Sequence, residues 1–583
     1  MLGRNPESTH IHPVKPSKAR DSGSQLEQGP IGITERSLTE FLNAPHRGRL
    51  TKAHEWASLS PFEIVARAKG EVILSNWLED MSPFRAIHEL QSEARSVDLI
   101  QLSLVTGRVP LRPDRWRETL SAKRNGRYGL EVTLNGTKHC VSPLNTIASN
   151  QSLQQWFTAL LEEKRITDER FFAVGGQATL LECRQFILQT GRPAKAVETY
   201  RGSPLVPTDL PAKKLTDKVI SGVARWFMSN QDEDGALPYK YDPSSDTYSS
   251  TDNPIRRFMA SIAFNRMAQV LGRQDMKVAA RKNLDYNLRR FYRVENGKGM
   301  ITWQGSVKLG SLALAGLAII ESPFAEKWKN ELSALRSAID DLWQPSGAFR
   351  TFLYPADRND NQNFYPGEAL LFWATSLQQK PDAHLLERAL KSISYYRRYF
   401  WKDPNPAFVP WHTQAATLLF QLTGNSALRD YIFEINDWLL PHQQWGGSLD
   451  LDYWGRFYSP DKPFGKPHAS ATGVYLEGLV DALVLARETG DEIRAENYDQ
   501  AIQRGIRSMA QLQFHDEFDA FYVRKKERVI GAVRTESADN EIRIDNLQHG
   551  LMALLKYRDI CRETNGSTAH SGAILPAFFL NSV

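Results

Sequence analysis

From about residue 209 onward, two kinds of helical pattern alternate. One kind carries Lys, Arg and Glu on one face and apolar residues on the other, over roughly 214–230, 274–293, 325–343, 382–400, 426–441 and 492–513. The other kind is more apolar and richer in small residues, over roughly 253–272, 306–321, 366–379, 411–423, 469–488 and 544–560. The run Leu312-Ala313-Leu314-Ala315-Gly316-Leu317-Ala318 typifies it. A polar stripe on one helix of each pair and its absence from the other predict that the first faces water and the second lines a crowded centre. Within each pair the chain breaks at a similar kind of turn. Gln231-Asp232-Glu233-Asp234-Gly235, Gln344-Pro345-Ser346-Gly347 and Gln443-Gln444-Trp445-Gly446-Gly447 open on glutamine, with Glu295-Asn296-Gly297, Lys402-Asp403-Pro404 and His515-Asp516-Glu517 at the equivalent places. Twelve helices in six pairs, repeating every ~40–70 residues, predict a closed ring with a funnel at its centre.

The first third reads differently. Residues 1 to about 50 are rich in Pro, Ser, Gly and charge and predict a disordered arm. Residues 51–208 predict a small α/β domain. Within it Pro61 to Trp77 and Gln151 to Lys164 read as helices, and Tyr128–Leu134 with Thr137–Val141 as a hairpin around Asn135-Gly136. Phe171 to Val174 and Val197 to Tyr200 read as further strands. This domain is expected to present substrate, make oligomer contacts or cap the ring. Pro204 to Lys214, with three prolines, is the linker to the ring at 209–563. Residues 564–583 are a tail whose apolar Ile574 to Leu580 is placed to dock on the ring.

Composition narrows the function. The 583 residues are 41% hydrophobic and 24% charged, with a net charge of +5 spread over interleaved acids and bases. That suits a solvated surface rather than a nucleic-acid groove. Three scattered cysteines, Cys140, Cys183 and Cys561, argue against a disulfide framework. The first 30 residues lack an apolar h-region, and the longest apolar run, Leu309 to Ile320, is too short to span a bilayer. A cytoplasmic protein is expected. No phosphate loop, dinucleotide fingerprint, metal-ligand spacing or nucleophile elbow occurs, so neither cofactor nor metal is expected.

The alternating helices resemble the six-hairpin (α/α)6 toroids, a superfamily that includes glucoamylases, unsaturated glucuronyl hydrolases, N-acylglucosamine 2-epimerases and several polysaccharide lyases. The resemblance covers residues 209–563. With the smaller N-terminal α/β domain read above, it implies a mainly α fold, an (α/α)6 toroid of twelve helices, and activity on a sugar, uronate or oligosaccharide. In such a ring the inner helices all run one way, so their N-terminal ends crowd one rim and make it electropositive. The polar residues at those ends are the candidate site. Asp252, Glu368 and Asp545 are candidate catalytic carboxyls, and His412, His468 and His549 candidate proton-transfer groups. Arg256, Lys308, Trp303, Tyr365, Trp411 and Gln548 are candidate substrate-binding residues. Glu368, just ahead of Leu370, Leu371 and Phe372, is expected to have a raised pKa suited to a general acid.

Two mechanisms stay open: hydrolysis by paired carboxyls, Asp252 with Glu368 or Asp545, and epimerisation or lyase chemistry through a histidine, with Arg256 and Lys308 holding an anionic substrate. Two other classes also stay open. One is a non-catalytic polysaccharide-assembly or scaffold protein binding in the same funnel, and the other is a peptide- or polymer-modifying enzyme. A homo-oligomer or a biosynthetic complex is a possible setting. A lanthionine cyclase needs two zinc-binding cysteines in the ring, where only Cys561 lies. A triterpene cyclase needs an Asp-x-Asp-Asp motif that Asp450-Leu451-Asp452-Tyr453 does not complete.

Overall fold

The structure is a computed structural model that describes residues 32–44, 60–93, 97–121 and 124–566. Twelve helices form the ring. Six are outer: α7 (Ala212–Asn230), α9 (Gln274–Phe291), α11 (Lys329–Asp340), α13 (Ala383–Phe400), α15 (Ser426–Leu439) and α17 (Glu492–Leu512). Six are inner: α8 (Pro254–Leu271), α10 (Leu309–Ile320), α12 (Tyr365–Gln379), α14 (Val409–Thr423), α16 (Ala469–Glu488) and α18 (Ile544–Gly566). Each inner helix packs on the next, and the last, α18, packs back on the first, α8, so the ring is closed. The fold is an (α/α)6 toroid. Every residue of α10 is buried, whereas α11 buries only Leu335, Ala338 and Ile339, which is the asymmetry the sequence pattern predicts. Helix α16 is long and apolar enough to cross a membrane, but it is buried as the fifth inner helix.

The repeated turn is a staple between neighbouring outer helices. Gln231, after α7, donates its amide to Gly235 O in its own turn and to Ala279 O on α9. Gln443, after α15, donates to Gly455 O and to Ala501 O on α17. Gln513, after α17, donates to Gly531 O and to Val219 O on α7, carrying the pattern across the seam. The glycines of these turns have φ of +102°, +99° and +96°. A Cβ at each would run into a main-chain carbonyl of the next outer helix: Lys282, Arg504 and Gly222 respectively. Glutamine supplies a two-donor amide and glycine allows the close approach.

Loops at the rim are stitched in pairs. Strand β8 (Lys240–Asp242), from the first loop, pairs with β15 (Asp539–Arg543), from the sixth, with Tyr241 opposite Ile542. Strand β12 (Ser306–Lys308) likewise pairs with β13 (Phe352–Tyr354).

The N-terminal part is a seven-stranded antiparallel sheet ordered β2-β1-β3-β6-β4-β5, with β7 beside β6. Its strands are β1 (Phe62–Ala68), β2 (Glu71–Leu78), β3 (Leu99–Pro110), β4 (Tyr128–Leu134), β5 (Thr137–Val141), β6 (Gln177–Gln189) and β7 (Lys195–Thr199). The hairpin at Asn135-Gly136 forms as expected, both residues at positive φ. Three expectations fail. Residues 61–77 are the β1–β2 hairpin, not a helix; Lys69 and Gly70, at φ +51° and +83°, make a two-residue turn that fixes it. Residues 171–174 end the helix α6 (Asp168–Ala173), which Thr167 caps by accepting from Arg170 N, rather than a strand. Within the supposed arm, Glu35–Asn43 is the helix α1, capped by Thr34, whose Oγ1 accepts from Ser37 N while its own N–H donates to Ser37 Oγ. Leu38 and Leu42 anchor α1 on the sheet, and the Asn43 amide exchanges two hydrogen bonds with Ala194. The rest of the supposed arm, 1–31 and 45–50, and the tail beyond 566 lie outside the described residues.

This domain is docked on the rim, not tethered. Leu99, Ile147, Ile187 and Val197 belong to the same continuous apolar core as the ring. The fully buried Arg201 guanidinium pairs with Asp450 at 2.5 Å and Asp452 at 2.6 Å in the fifth rim loop, and lies over the Tyr453 ring. The incomplete acidic motif of the sequence is thus the anchor for Arg201.

The staples give a stability test. Gly455→Ala should cost about 2–5 kcal/mol, from backbone strain and overpacking together. Gly424→Ala, at φ +63° with open space around it, should cost about 1–2 kcal/mol from backbone strain alone. Equal losses in thermal or denaturant unfolding would contradict the stapling role of the turn.

Candidate active site

The rim brings one set of charged groups together across the seam between the first and last inner helices. Arg256, in the first turn of α8, reaches Asp545, in the first turn of α18, at 2.6 Å. Arg543, at the end of β15, holds the same carboxylate at 2.5 Å. Asp545 is fully buried, and the two guanidinium groups hold its carboxyl well below the usual carboxylate range despite that burial.

Glu368 sits one turn into α12. It is 2% exposed, and its Oε2 has no hydrogen-bond partner among the described residues. Burial pushes its carboxyl up to about 8, with the Arg256 charge pulling weakly the other way. The space it occupies exists because residue 310 on α10 is glycine: a Cβ there would overlap Glu368 Oε2 and the Tyr365 ring. Tyr365 packs on Phe352, and the Glu368 charge beside it adds to the burial that raises its phenol.

The third element is a carboxylate–imidazole pair. Glu477, two turns into α16 and fully buried, meets His549 Nδ1 on α18 at 2.5 Å. With Nδ1–H donated to the carboxylate, Nε2 carries the free lone pair, and it has no protein partner among the described residues. The Trp411 ring lies edge-on to the imidazole, centroids 6.0 Å apart. His468 is the N-cap of α16; its Nδ1 accepts from Ala471 N at 3.1 Å. Burial and the nearby Arg543 push its pKa down to about 4. At neutral pH it is therefore an uncharged donor through Nε2–H, not a base. Gln548 is fully buried, and both its amide atoms are unpartnered among the described residues. Further down the same helices Lys556 bonds both Asp481 oxygens, at 2.8 and 2.9 Å, and Gln414 Oε1 at 3.1 Å.

Four sequence candidates lie elsewhere. Asp252 is clamped by Arg257 at 2.6 Å and Arg290 at 3.4 Å, so it ties α8 to the outer helix α9 rather than serving as a partner for Glu368. His412 is fully buried between inner and outer helices, stacked on Phe408 at 3.7 Å and near Tyr396 and Tyr431. Burial lowers its pKa to about 3, and it is a core ring. Trp303 packs on Phe291 at the end of α9 and under Arg290, away from the charged cluster. Lys308 caps α10 beside Arg358 and Asp360 of the third rim loop, and burial with the Arg358 charge lowers its pKa. Arg256 is spent largely on Asp545 rather than free for a substrate anion.

One contributor, Arg543, was hidden in the sequence as one basic residue in a short strand. Glu477 stands, with His468, Ser470 and Tyr475, among the polar residues at the entry to the fifth inner helix, but nothing in the sequence gives it a partner. Among the described residues no group of three or more His, Cys, Asp or Glu side chains is placed to hold a metal.

No family model matches the chain, and no curated protein matches it. Solved structures to which it is similar include a D-mannose isomerase, at 14% identity and TM-score 0.45, covering 60% of this chain and 100% of that one. The cellobiose 2-epimerase of Bacillus thermoamylovorans B4167 aligns at 12% identity and TM-score 0.45 over 59% of this chain and 98% of its own. An alpha-1,6-mannanase from Salegentibacter sp. HEL1_6 aligns at 10% identity and TM-score 0.43 over 59% and 98%. At this level of likeness the chemistry of the site is decided by its own residues.

The raised Glu368 pKa has a signed consequence. The folded chain holds this proton up to about pH 8, whereas the ordinary value is 4.5. Stability contributed by the protonated form is therefore full below pH 4.5 and falls by about 1.4 kcal/mol per pH unit as pH rises toward 8. Glu368→Gln removes that slope, so its stability relative to the parent should grow between pH 5 and 8. Parallel stability curves for the two proteins would refute the raised pKa.

Proposed function

We propose that the protein is a proton-transfer enzyme acting on a sugar-type substrate in the toroid funnel. His549 is the base and the protonated Glu368 carboxyl is the acid. The observation that carries this reading is the Glu477–His549 pair, because a carboxylate on Nδ1 fixes the tautomer that leaves Nε2 basic and open. Three features support the rest. Glu368 stays protonated at neutral pH, so it can donate to a developing oxyanion. The neutral His468, within electrostatic reach of His549, supplies a second donor. The Trp411 and Tyr365 rings give apolar faces next to hydrogen-bonding groups, the mix that sugar recognition needs. The chemistry is removal of a proton alpha to a carbonyl by His549 Nε2, with Glu368 protonating the oxygen, as in epimerisation or isomerisation.

A second reading, glycoside hydrolysis with Glu368 as the acid, is favoured by its raised pKa. It is less well supported because Asp252 and Asp545, the other candidate carboxyls, are each held by two arginines.

The test is incubation of the full chain with aldoses, ketoses, uronates and short oligosaccharides in D2O, read by NMR. The expected result is exchange of the carbon-bound proton next to the carbonyl. Loss of at least ~100-fold is expected in His549→Gln and in Glu368→Gln. New reducing ends without exchange would move the site to the hydrolytic reading. Unchanged exchange in His549→Gln would overturn the assignment of the base.

A further inference from the structure

At the end of the ring away from the funnel, the start of α7 lies against the last turns of α18. A pocket of about 180 Å³ opens between them, lined by Lys213, Thr216 and Asp217 from α7 and by Arg558 and Arg562 from α18. Two of these side chains are buried and carry polar atoms with no hydrogen-bond partner among the described residues. Arg558 is 8% exposed and Thr216 1% exposed; among the described residues Arg558 Nε and Nη2 and Thr216 Oγ1 have no partner. Asp217 and Asp559 are the acids within electrostatic reach of Arg558, and Arg562 is the like charge; burial and Arg562 together lower its pKa. The neighbouring Tyr557 hydroxyl is already given to Asp499 at 3.0 Å. Helix α7 runs for 19 residues, and Pro211 before it gives no side-chain cap, so its first N–H groups and its dipole also face this end.

A buried guanidinium with N–H groups that bond nothing is costly, and so is a buried hydroxyl without a partner. Both costs vanish if a ligand supplies acceptors and negative charge. We propose that this pocket binds a phosphate group, either free or as the monoester of a small metabolite. The Arg558 fork would bond two of its oxygens and the Thr216 hydroxyl a third, with Lys213 and Arg562 contributing charge at the mouth. A planar fork, a hydroxyl and a helix N-terminus make up the donor set that tetrahedral oxyanions match. The site is separate from the funnel and uses none of its residues, so it stands whether or not the reading of the funnel does.

The experiment is calorimetric titration of the full chain with inorganic phosphate, with glucose 6-phosphate and with glucose, at constant ionic strength. Saturable one-to-one binding of at least one phosphate compound, and none of glucose, is expected; which of the two binds identifies the source. Arg558→Gln should weaken that binding at least tenfold. Thr216→Val, which keeps the shape and removes the hydroxyl, should weaken it less, and it carries the test if Arg558→Gln does not fold. Absence of saturable phosphate binding would overturn the proposal. So would binding that survives Arg558→Gln unchanged, since that phosphate would be elsewhere, for instance against Arg256.

Discussion

The seam between the first and last inner helices is the constraint on which the rest depends. The six inner helices, Leu309–Ile320 the most apolar of them, can be buried only if the ring closes, because an open edge would leave two of them facing water. Closure joins residues about 290 positions apart, and three devices hold it. Helix α18 packs on α8, Tyr241 of β8 pairs with Ile542 of β15, and Arg256 meets Asp545 at 2.6 Å. The Gln513 staple onto Val219 does the same for the outer layer. A buried ion pair adds little net stability over a well-packed apolar contact. Its effect here is positional: it fixes which turn of α18 faces which turn of α8.

That register sets the chemistry. Asp545 and His549 are one turn apart on α18, so placing Asp545 against Arg256 also places His549 opposite Glu477 on α16. Glycines then permit the close approaches the site needs. Gly310 leaves room for the Glu368 carboxyl, and Gly367 for the Cβ of Trp411; a Cβ at Gly473 would meet the backbone of His549 and Gly550. The result is a set of inner-helix carboxyls in which one is ionised and tied to arginines, one is protonated with an oxygen unpartnered among the described residues, and one orients an imidazole. Three carboxyls of ordinary intrinsic acidity are set apart by surroundings alone.

The architecture was legible because it repeats. Alternation of amphipathic and apolar helices recurs six times, and the same glutamine staple with its glycine recurs after the first, fifth and sixth outer helices. The N-terminal domain has no repeat to average over. Its β1 strand is buried along nearly its whole length, so Phe62–Ala68 shows no clean alternation, and the Lys69-Gly70 turn was the only sign of a hairpin. The site was legible only to the level of the rim. Sequence position names the helix end that a residue occupies but not the direction in which its side chain points. Asp252 and His412 turn toward outer helices, while Arg256, Glu368 and His549 turn inward. Pairings between helices are set by the closed ring: Glu477 was legible as a polar residue of the fifth inner helix but not as the partner of His549, and Arg543 carries no local signal.

The central claim is that ring closure delivers an imidazole held by Glu477 through Nδ1, with Nε2 left as the base. Its most direct test is nitrogen NMR of the full chain with 15N-labelled histidine, the His549 signals being assigned by their loss in His549→Gln. The account predicts a neutral ring protonated on Nδ1, with Nε2 at the shift of an unprotonated nitrogen, and collapse of that preference in Glu477→Gln. A ring protonated on Nε2, or a tautomer unaffected by Glu477→Gln, would contradict it.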